Sequence, residues 1–343
     1  MPAPVALIIG ITGQDGSFLA ELLLGKGHAV HGLHRRTSLP NLGNLAGLNG
    51  RATLHHGDLT EGGSLLRVLQ RVRPNEIYNL AAPSLATGSA PQQAAELHVL
   101  GTQRLLDALR LHDPVCAVRL YQSSSHGIFG RGANGHADEA TACHPDTATD
   151  VARLQARWLV EQARERDGMH ASSGICFPHG SARAAPDAPL RHIARAVGQG
   201  VPLLLNALDA RQNWGHARDH ADAMWRMLQQ DRPGDFVLAA GPGHSLRHVV
   251  ERAFAIAGIS LRWEGAGWDE TGSCARSGRL LVRLAASAPG WGGPLGDSGR
   301  ARRLLGWDPP DALVAVLKDL LEDERGMASG TIGGRRHGPA RAD

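Results

Sequence analysis

The feature that most narrows what this chain can fold into is Gly10-Ile11-Thr12-Gly13-Gln14-Asp15-Gly16, set directly after the apolar run Val5–Ile9. A short continuous apolar run is what a parallel strand buried on both faces needs. Beyond the turn, Phe18, Leu19, Leu22 and Leu23 recur at helical spacing, and Gly25-Lys26-Gly27 stops that helix. Gly10 permits the tight turn, Gly13 lets the backbone approach a pyrophosphate, and Gly16 lets the helix pack against the strand. The helix then offers free N–H groups and a positive dipole end to an anion. A glycine triplet alone is weak and can be a purely structural turn. Here it has the strand–turn–helix setting that a dinucleotide needs, and Gly57-Asp58 follows a third strand, where Asp58 can serve as an adenine-contacting carboxylate.

The residues after the second strand choose between dinucleotides. An acidic residue there would bind a ribose 2′-hydroxyl and favour NAD. This chain has Arg35-Arg36-Thr37-Ser38, whose guanidinium and hydroxyl groups suit a 2′-phosphate, so NADP is expected over NAD. An exposed basic turn is the competing reading.

The pattern downstream repeats strand and helix at short intervals. Strands are expected at 28–33, 53–56, 76–81 and 117–123, with a loop at 39–49 and helices at 63–72 and 94–111. This is the signature of an α/β Rossmann fold, a doubly wound parallel sheet. After Phe177 the punctuation changes to Pro, Gly and Ala, with helices expected at 190–199, 219–230, 246–257 and 312–322. We expect an NADP-binding Rossmann domain over 1–177 and a smaller C-terminal α/β substrate-binding domain over 178–325, some of whose segments return to the Rossmann sheet. A Gly- and Arg-rich disordered tail is expected over 326–343.

Composition excludes other classes. No apolar run approaches the roughly 18 residues of a membrane span, and because Met1-Pro2-Ala3-Pro4 leads directly into an apolar strand no charged leader is expected. Cys116, Cys143, Cys176 and Cys274 lie far apart in unlike contexts, so neither a disulfide framework nor a metal site is expected, and a cytoplasmic home is the simplest. A net charge of +3 suggests no nucleic-acid partner. His55, His56, His136 and His144 lack metal-ligand spacing and read as surface histidines, and Asp138-Glu139 as a solvated turn. More telling are two scarcities: Lys26 and Lys318 are the only lysines, and Tyr78 and Tyr121 the only tyrosines.

Several strings together resemble the GDP-mannose 4,6-dehydratases, a branch of the extended short-chain dehydrogenase/reductases. They are Gly10 to Ser17 (GITGQDGS), Gly57-Asp58-Leu59-Thr60, Glu76 to Ala82 (EIYNLAA), Leu100-Gly101-Thr102, Trp214 to Asp219 (WGHARD) and Leu305-Gly306-Trp307. The resemblance implies tightly held NADP, oxidation of a sugar at C4, elimination of water across C5–C6, and return of hydride to C6. It implies a tyrosine made acidic by a lysine four residues later, assisted by a threonine and a glutamate. It places Thr12, Gln14, Asp15, Leu59, Ala81, Arg153 and His179 along the dinucleotide, with Ser84, Ser124, Arg183 and Asn213 along a nucleotide-sugar or related substrate. Family-type oligomerisation implies a homo-oligomer, dimer or tetramer, or a hetero-oligomer with an active relative.

Carried over residue by residue, the catalytic set is broken. The family stretch with threonine and glutamate falls on Gln122 to Gly130, so Ser125 keeps a hydroxyl, His126 is a new imidazole, and the glutamate position is Gly127. The tyrosine falls on Thr149 and the lysine on Arg153. No register shift restores the dyad, because the residues do not exist. A phenol has an ordinary pKa near 10 that a neighbouring cation can lower; an aliphatic hydroxyl such as Thr149 is far less acidic. Substrate contacts thin as well: the segment at Pro178 to Arg183 keeps histidine, serine and arginine only, and the Arg-Asp before Trp214 appears as Gln212-Asn213. Three readings follow: a cofactor-binding pseudoenzyme or regulatory subunit; an enzyme of altered chemistry using His126, Asp150 or Ser125; or residual GDP-mannose dehydration.

Overall fold

Five short segments early in the chain form strands: β1 (Val5–Ile9), β2 (Ala29–His34), β3 (Thr53–His56), β4 (Glu76–Asn79) and β5 (Arg119–Ser125). In the computed structural model, which describes residues 3–35, 43–48, 50–82, 90–113, 115–132, 135–286 and 292–328, they join two later strands, Ala171–Cys176 and Asp235–Leu238. The sheet runs Asp235–Leu238, Ala171–Cys176, β5, β4, β1, β2, β3, and every pairing is parallel. The order reverses between β1 and β4, which opens a crevice at the carboxyl ends of those strands. The expected α/β doubly wound sheet is what the chain forms.

Helices cover both faces because each strand alternates its side chains between two apolar clusters. Ala6, Ile8 and Tyr78 face α1 (Gln14–Gly25) and the Ala217–Gln229 helix, while Leu7, Ile9 and Ile77 face the Gly62–Val72, Gly101–His112 and Ala148–Arg166 helices. In Gly62–Val72 the buried Leu65, Val68, Leu69 and Val72 form the one apolar stripe that packs a helix on a sheet. The helix expected at 94–111 is broken in kind, with a π-helical turn over Ala95–Leu100 between Pro91–Ala94 and Gly101–His112. There Gly101 sits so close to Leu59 that an added Cβ would meet its side chain at 3.1 Å.

Two expectations change. His55 is not a surface residue: β2–β3 pairing brings its Nε2 within 2.8 Å of His31 Nδ1, and it is 8% exposed. Burial lowers the pKa of both imidazoles. The last helix, expected to end at Glu322 with disorder from Gly326, runs over Leu313–Ala328; residues beyond 328, like Arg36 and Ser84, lie outside the described residues.

A separate apolar cluster joins the Pro189–Gln199, Leu246–Ile256 and Leu313–Ala328 helices to a small mixed sheet of Leu261–Glu264, Thr271–Cys274, Leu280–Leu284 and Leu203–Leu205. The last helix is anchored by Arg191, 4% exposed, which donates to Asp323 at 2.8 Å and Glu324 at 2.9 Å. Breaking a buried ion pair from one side strands the other charge and costs about 3–5 kcal/mol. Arg191→Ala should lower the urea midpoint by a corresponding amount; an unchanged midpoint would refute the anchor. Among the described residues no helix is long and apolar enough to cross a membrane.

Candidate functional site

The carboxyl ends of β1, β4, β5 and Ala171–Cys176 open into one cleft of about 1300 Å³. Its floor is the glycine turn. Gly10 has φ +89, and a Cβ on it would meet the Leu80 backbone at 3.1 Å. A Cβ on Gly16 would lie 2.3 Å from the Gly10 oxygen, so only glycine allows α1 to start this close to β1. Gly13 caps α1 with no side-chain hydrogen bond, which leaves the first N–H groups of the helix open to the cleft, as an anion there requires.

Around that floor, Gly10, Thr12, Gly13, Gln14, Asp15, Gly16, Arg35, Asp58, Leu59, Ala81, Arg153 and His179 all line the cleft. So do Ser124, Ser125, His126 and Asp150. Three expected site residues are elsewhere. Thr149 is not among the lining residues; the same helical turn presents Thr147, Asp150 and Arg153 instead. Arg183 is drawn onto α1, where it stacks 4.1 Å from the Phe18 ring, donates to Ser17 Oγ at 3.2 Å and pairs with Glu21. Asn213, 2% exposed, is used up by the frame: its amide donates to the Gly241 carbonyl at 2.8 Å and its oxygen accepts from the Gly296 N–H at 2.9 Å. Its neighbours Gln212 and Trp214 line the cleft in its place.

Sequence reasoning missed one wall. Asp187, Pro189, His192 and Arg195, at the start of the Pro189–Gln199 helix, close the far side of the cleft. The helix itself was legible, but nothing in its periodicity says which polar residues on its exposed face meet another part of the chain.

Asp15 and His179 tie the first turn of α1 to the segment after Ala171–Cys176. Asp15 Oδ1 lies 3.0 Å from His179 Nε2, and His179 Nδ1 lies 2.8 Å from the Phe177 carbonyl oxygen. Burial opposes charge on both groups, yet their mutual attraction prevails: the Asp15 carboxyl is held down at about 2 and the His179 imidazole is raised. His220 stacks on His179 at 4.0 Å, and burial beside that charge pushes it down to about 3.

His126 Nδ1 sits 3.5 Å from Ser125 Oγ, whose oxygen also accepts from the Gly127 N–H at 3.2 Å. Burial pushes the His126 imidazole down to about 4, against the pull of Asp150. It is therefore neutral near pH 7 and a weaker base than an ordinary imidazole. In the unfolded chain it takes up a proton as pH falls below about 6.5, before the folded form does. Its contribution to stability is thus complete above that pH and is lost as pH falls toward 4, on the order of 3 kcal/mol in all. His126→Gln should lose less stability than the parent chain between about pH 7 and pH 4.5, measured by urea denaturation; parallel pH profiles would disprove this.

The two phenols are not in the cleft. Tyr78 is 0% exposed and donates to Glu76 Oε2 at 2.7 Å; Tyr121, also 0% exposed, has its hydroxyl 3.6 Å from Cys176 Sγ. Burial raises both well above the ordinary phenol range. Neither can supply phenolate to a ligand.

A sequence model of the GDP-mannose 4,6 dehydratase family matches residues 7–320. The chain belongs to this family. It is 39% identical to the GDP-mannose 4,6-dehydratase of Sinorhizobium fredii (strain HH103), over 95% of this chain and 98% of that one. It is 38% identical to the Homo sapiens GDP-mannose 4,6 dehydratase, over 93% and 91%. Among solved structures it is similar in fold to the Bacillus anthracis dTDP-glucose 4,6-dehydratase in complex with NAD, at TM-score 0.78, 16% identity and coverage of 94% and 98%. The Bacillus cereus UDP-glucuronic acid 4-epimerase in complex with UDP-glucuronic acid and NAD aligns at TM-score 0.77, 18% identity and coverage of 94% and 99%. As a family member the chain has an NAD(P)-binding type of fold, and the glycine cradle with its open helix terminus fits a dinucleotide.

Proposed function

We propose that this chain binds NADP and a nucleotide sugar of the GDP-mannose type and does not run the tyrosine- and lysine-dependent dehydration, so that it acts as a pseudoenzyme or regulatory subunit. In this reading residues 1–177 hold the cofactor, 178–325 face the sugar nucleotide, and the chain assembles with itself or with a complete relative. The carrying observation is the contrast between the cleft and the core. The dinucleotide cradle is intact, while both phenols of the chain are buried in hydrogen-bonded or sulfur contact with Glu76 and Cys176. Arg35 on the cleft wall, with no acidic residue at that strand end, supports NADP over NAD. Ser124 Oγ supports a polar ligand: it is buried and without a hydrogen-bond partner among the described residues, on a residue that lines the cleft.

An enzyme of altered chemistry is the second reading, and one observation favours it. Neutral His126, the Ser125 hydroxyl and the Asp150 carboxylate line the same cleft. The test titrates purified protein with NADP, NAD and GDP-mannose and then follows GDP-mannose over many hours. We expect NADP to bind more tightly than NAD, Arg35→Ala to erase most of that difference, and GDP-mannose to be recovered unchanged. Turnover at the rate of the tyrosine- and lysine-bearing relatives would overturn the reading.

A further inference from the structure

Gly127 and Asp150 are far apart in sequence and interlocked in space. A Cβ added to Gly127 would lie 2.3 Å from Asp150 Oδ1, 2.4 Å from its Cγ and 2.7 Å from Oδ2. The carboxylate therefore fills the volume that any side chain on residue 127 would enter first. It is held there firmly. Oδ2 accepts from the Thr147 hydroxyl at 2.6 Å, Oδ1 accepts from Arg153 at 3.1 Å, and the Asp150 side chain is only 15% exposed.

We infer that Asp150 is the carboxylate that meets the sugar ring of a bound nucleotide sugar, delivered from a helix into the space left open by Gly127. The inference rests on the nucleotide-sugar reading above. An ionised carboxylate offers about four acceptor sites; Thr147 and Arg153 use two, and the cleft is where the others open. Beside it the Ser124 hydroxyl, on the strand that leads to Gly127 and without a partner among the described residues, is a donor awaiting an acceptor. The Asp150 acceptor and the Ser124 donor along one wall match a polyhydroxylated ring, while a carboxylate offers nothing to the diphosphate end of a bare nucleoside diphosphate, which presents only acceptor oxygens.

The test compares GDP-mannose with GDP, which lacks the ring, by calorimetry on NADP-saturated protein. Asp150→Ala and Asp150→Asn should each weaken GDP-mannose by about tenfold or more, the scale of one hydrogen bond to a charged group, a loss that GDP does not share. Gly127→Ala should reproduce that loss by displacing the carboxylate, and should add nothing in the Asp150→Ala background. Asp150→Asn, which keeps the shape, carries the test if Asp150→Ala does not fold. Equal losses for GDP and GDP-mannose, or no loss for either, would overturn the assignment. Failure of the parent protein to bind GDP-mannose at all would instead overturn the nucleotide-sugar reading, and this inference with it, before any variant is compared.

Discussion

Thr149→Tyr combined with Arg153→Lys should leave GDP-mannose dehydration at background. The pair restores a phenol and an amine at the spacing the family uses, yet two features of this cleft oppose recovery. The cation at 153 is already engaged, since Arg153 donates to Asp150 at 3.1 Å; a lysine there would remain beside that carboxylate, which weakens its hold on the phenol's pKa. The eliminating glutamate would also still be absent, and one proton-transfer group is worth on the order of 10²–10⁴-fold in rate. Adding Gly127→Glu is not a simple remedy, because its first carbon would enter the Asp150 carboxylate at 2.3 Å. We expect that triple variant to be destabilised and inactive. The smallest set that restores the inventory of groups without overlap is Thr149→Tyr, Arg153→Lys, Gly127→Glu and Asp150→Ala together. Product formation followed by chromatography decides the matter, and measurable turnover by the pair alone would show that the carboxylate matters less than argued.

The second large effect concerns the cradle. Gly16→Ala should abolish NADP binding and lower the melting temperature together, because its methyl would sit 2.3 Å from the Gly10 oxygen and 2.7 Å from Ile11 Cα, both backbone atoms that cannot swing aside. Gly13→Ala separates the two consequences. Its methyl meets the Gly10 oxygen at 3.3 Å, a tight contact that a small shift relieves, so the fold should persist. The methyl stands where the backbone must approach a pyrophosphate, so NADP affinity should fall by about a hundredfold, the scale of losing more than one charge-assisted hydrogen bond. Fluorescence titration beside a thermal melt reads both quantities. Parent-like NADP affinity in Gly13→Ala would remove the glycine turn from the binding argument.

Much of this was legible along the chain, and the reasons differ by residue. The glycine turn could be read because its spacing, its preceding strand and its following helix all encode one local geometry. The missing dyad could be read because the chain has only two tyrosines and two lysines, and no tyrosine is followed by a lysine four residues later. Arg183 and Asn213 were misplaced for the opposite reason. Both are polar residues in segments that border the cleft, but α1 and the Gly241 and Gly296 backbone claim them, and those partners are far off in sequence. The fit of Asp150 over Gly127 was equally hidden, since a glycine announces a missing side chain and never what has moved into the gap.

The burial of Tyr78 and Tyr121 gives this chain an unusual optical property. With its only two phenols sealed in the core and their ionisation pushed upward, tyrosinate absorbance on alkaline titration stays silent until the fold opens. A tyrosine placed at position 149, on the helical turn whose Thr147, Asp150 and Arg153 border the cleft, would then be the single phenol ionising in the native state, so the acidity of a phenol at that position could be read directly from a spectrum, with no substrate present.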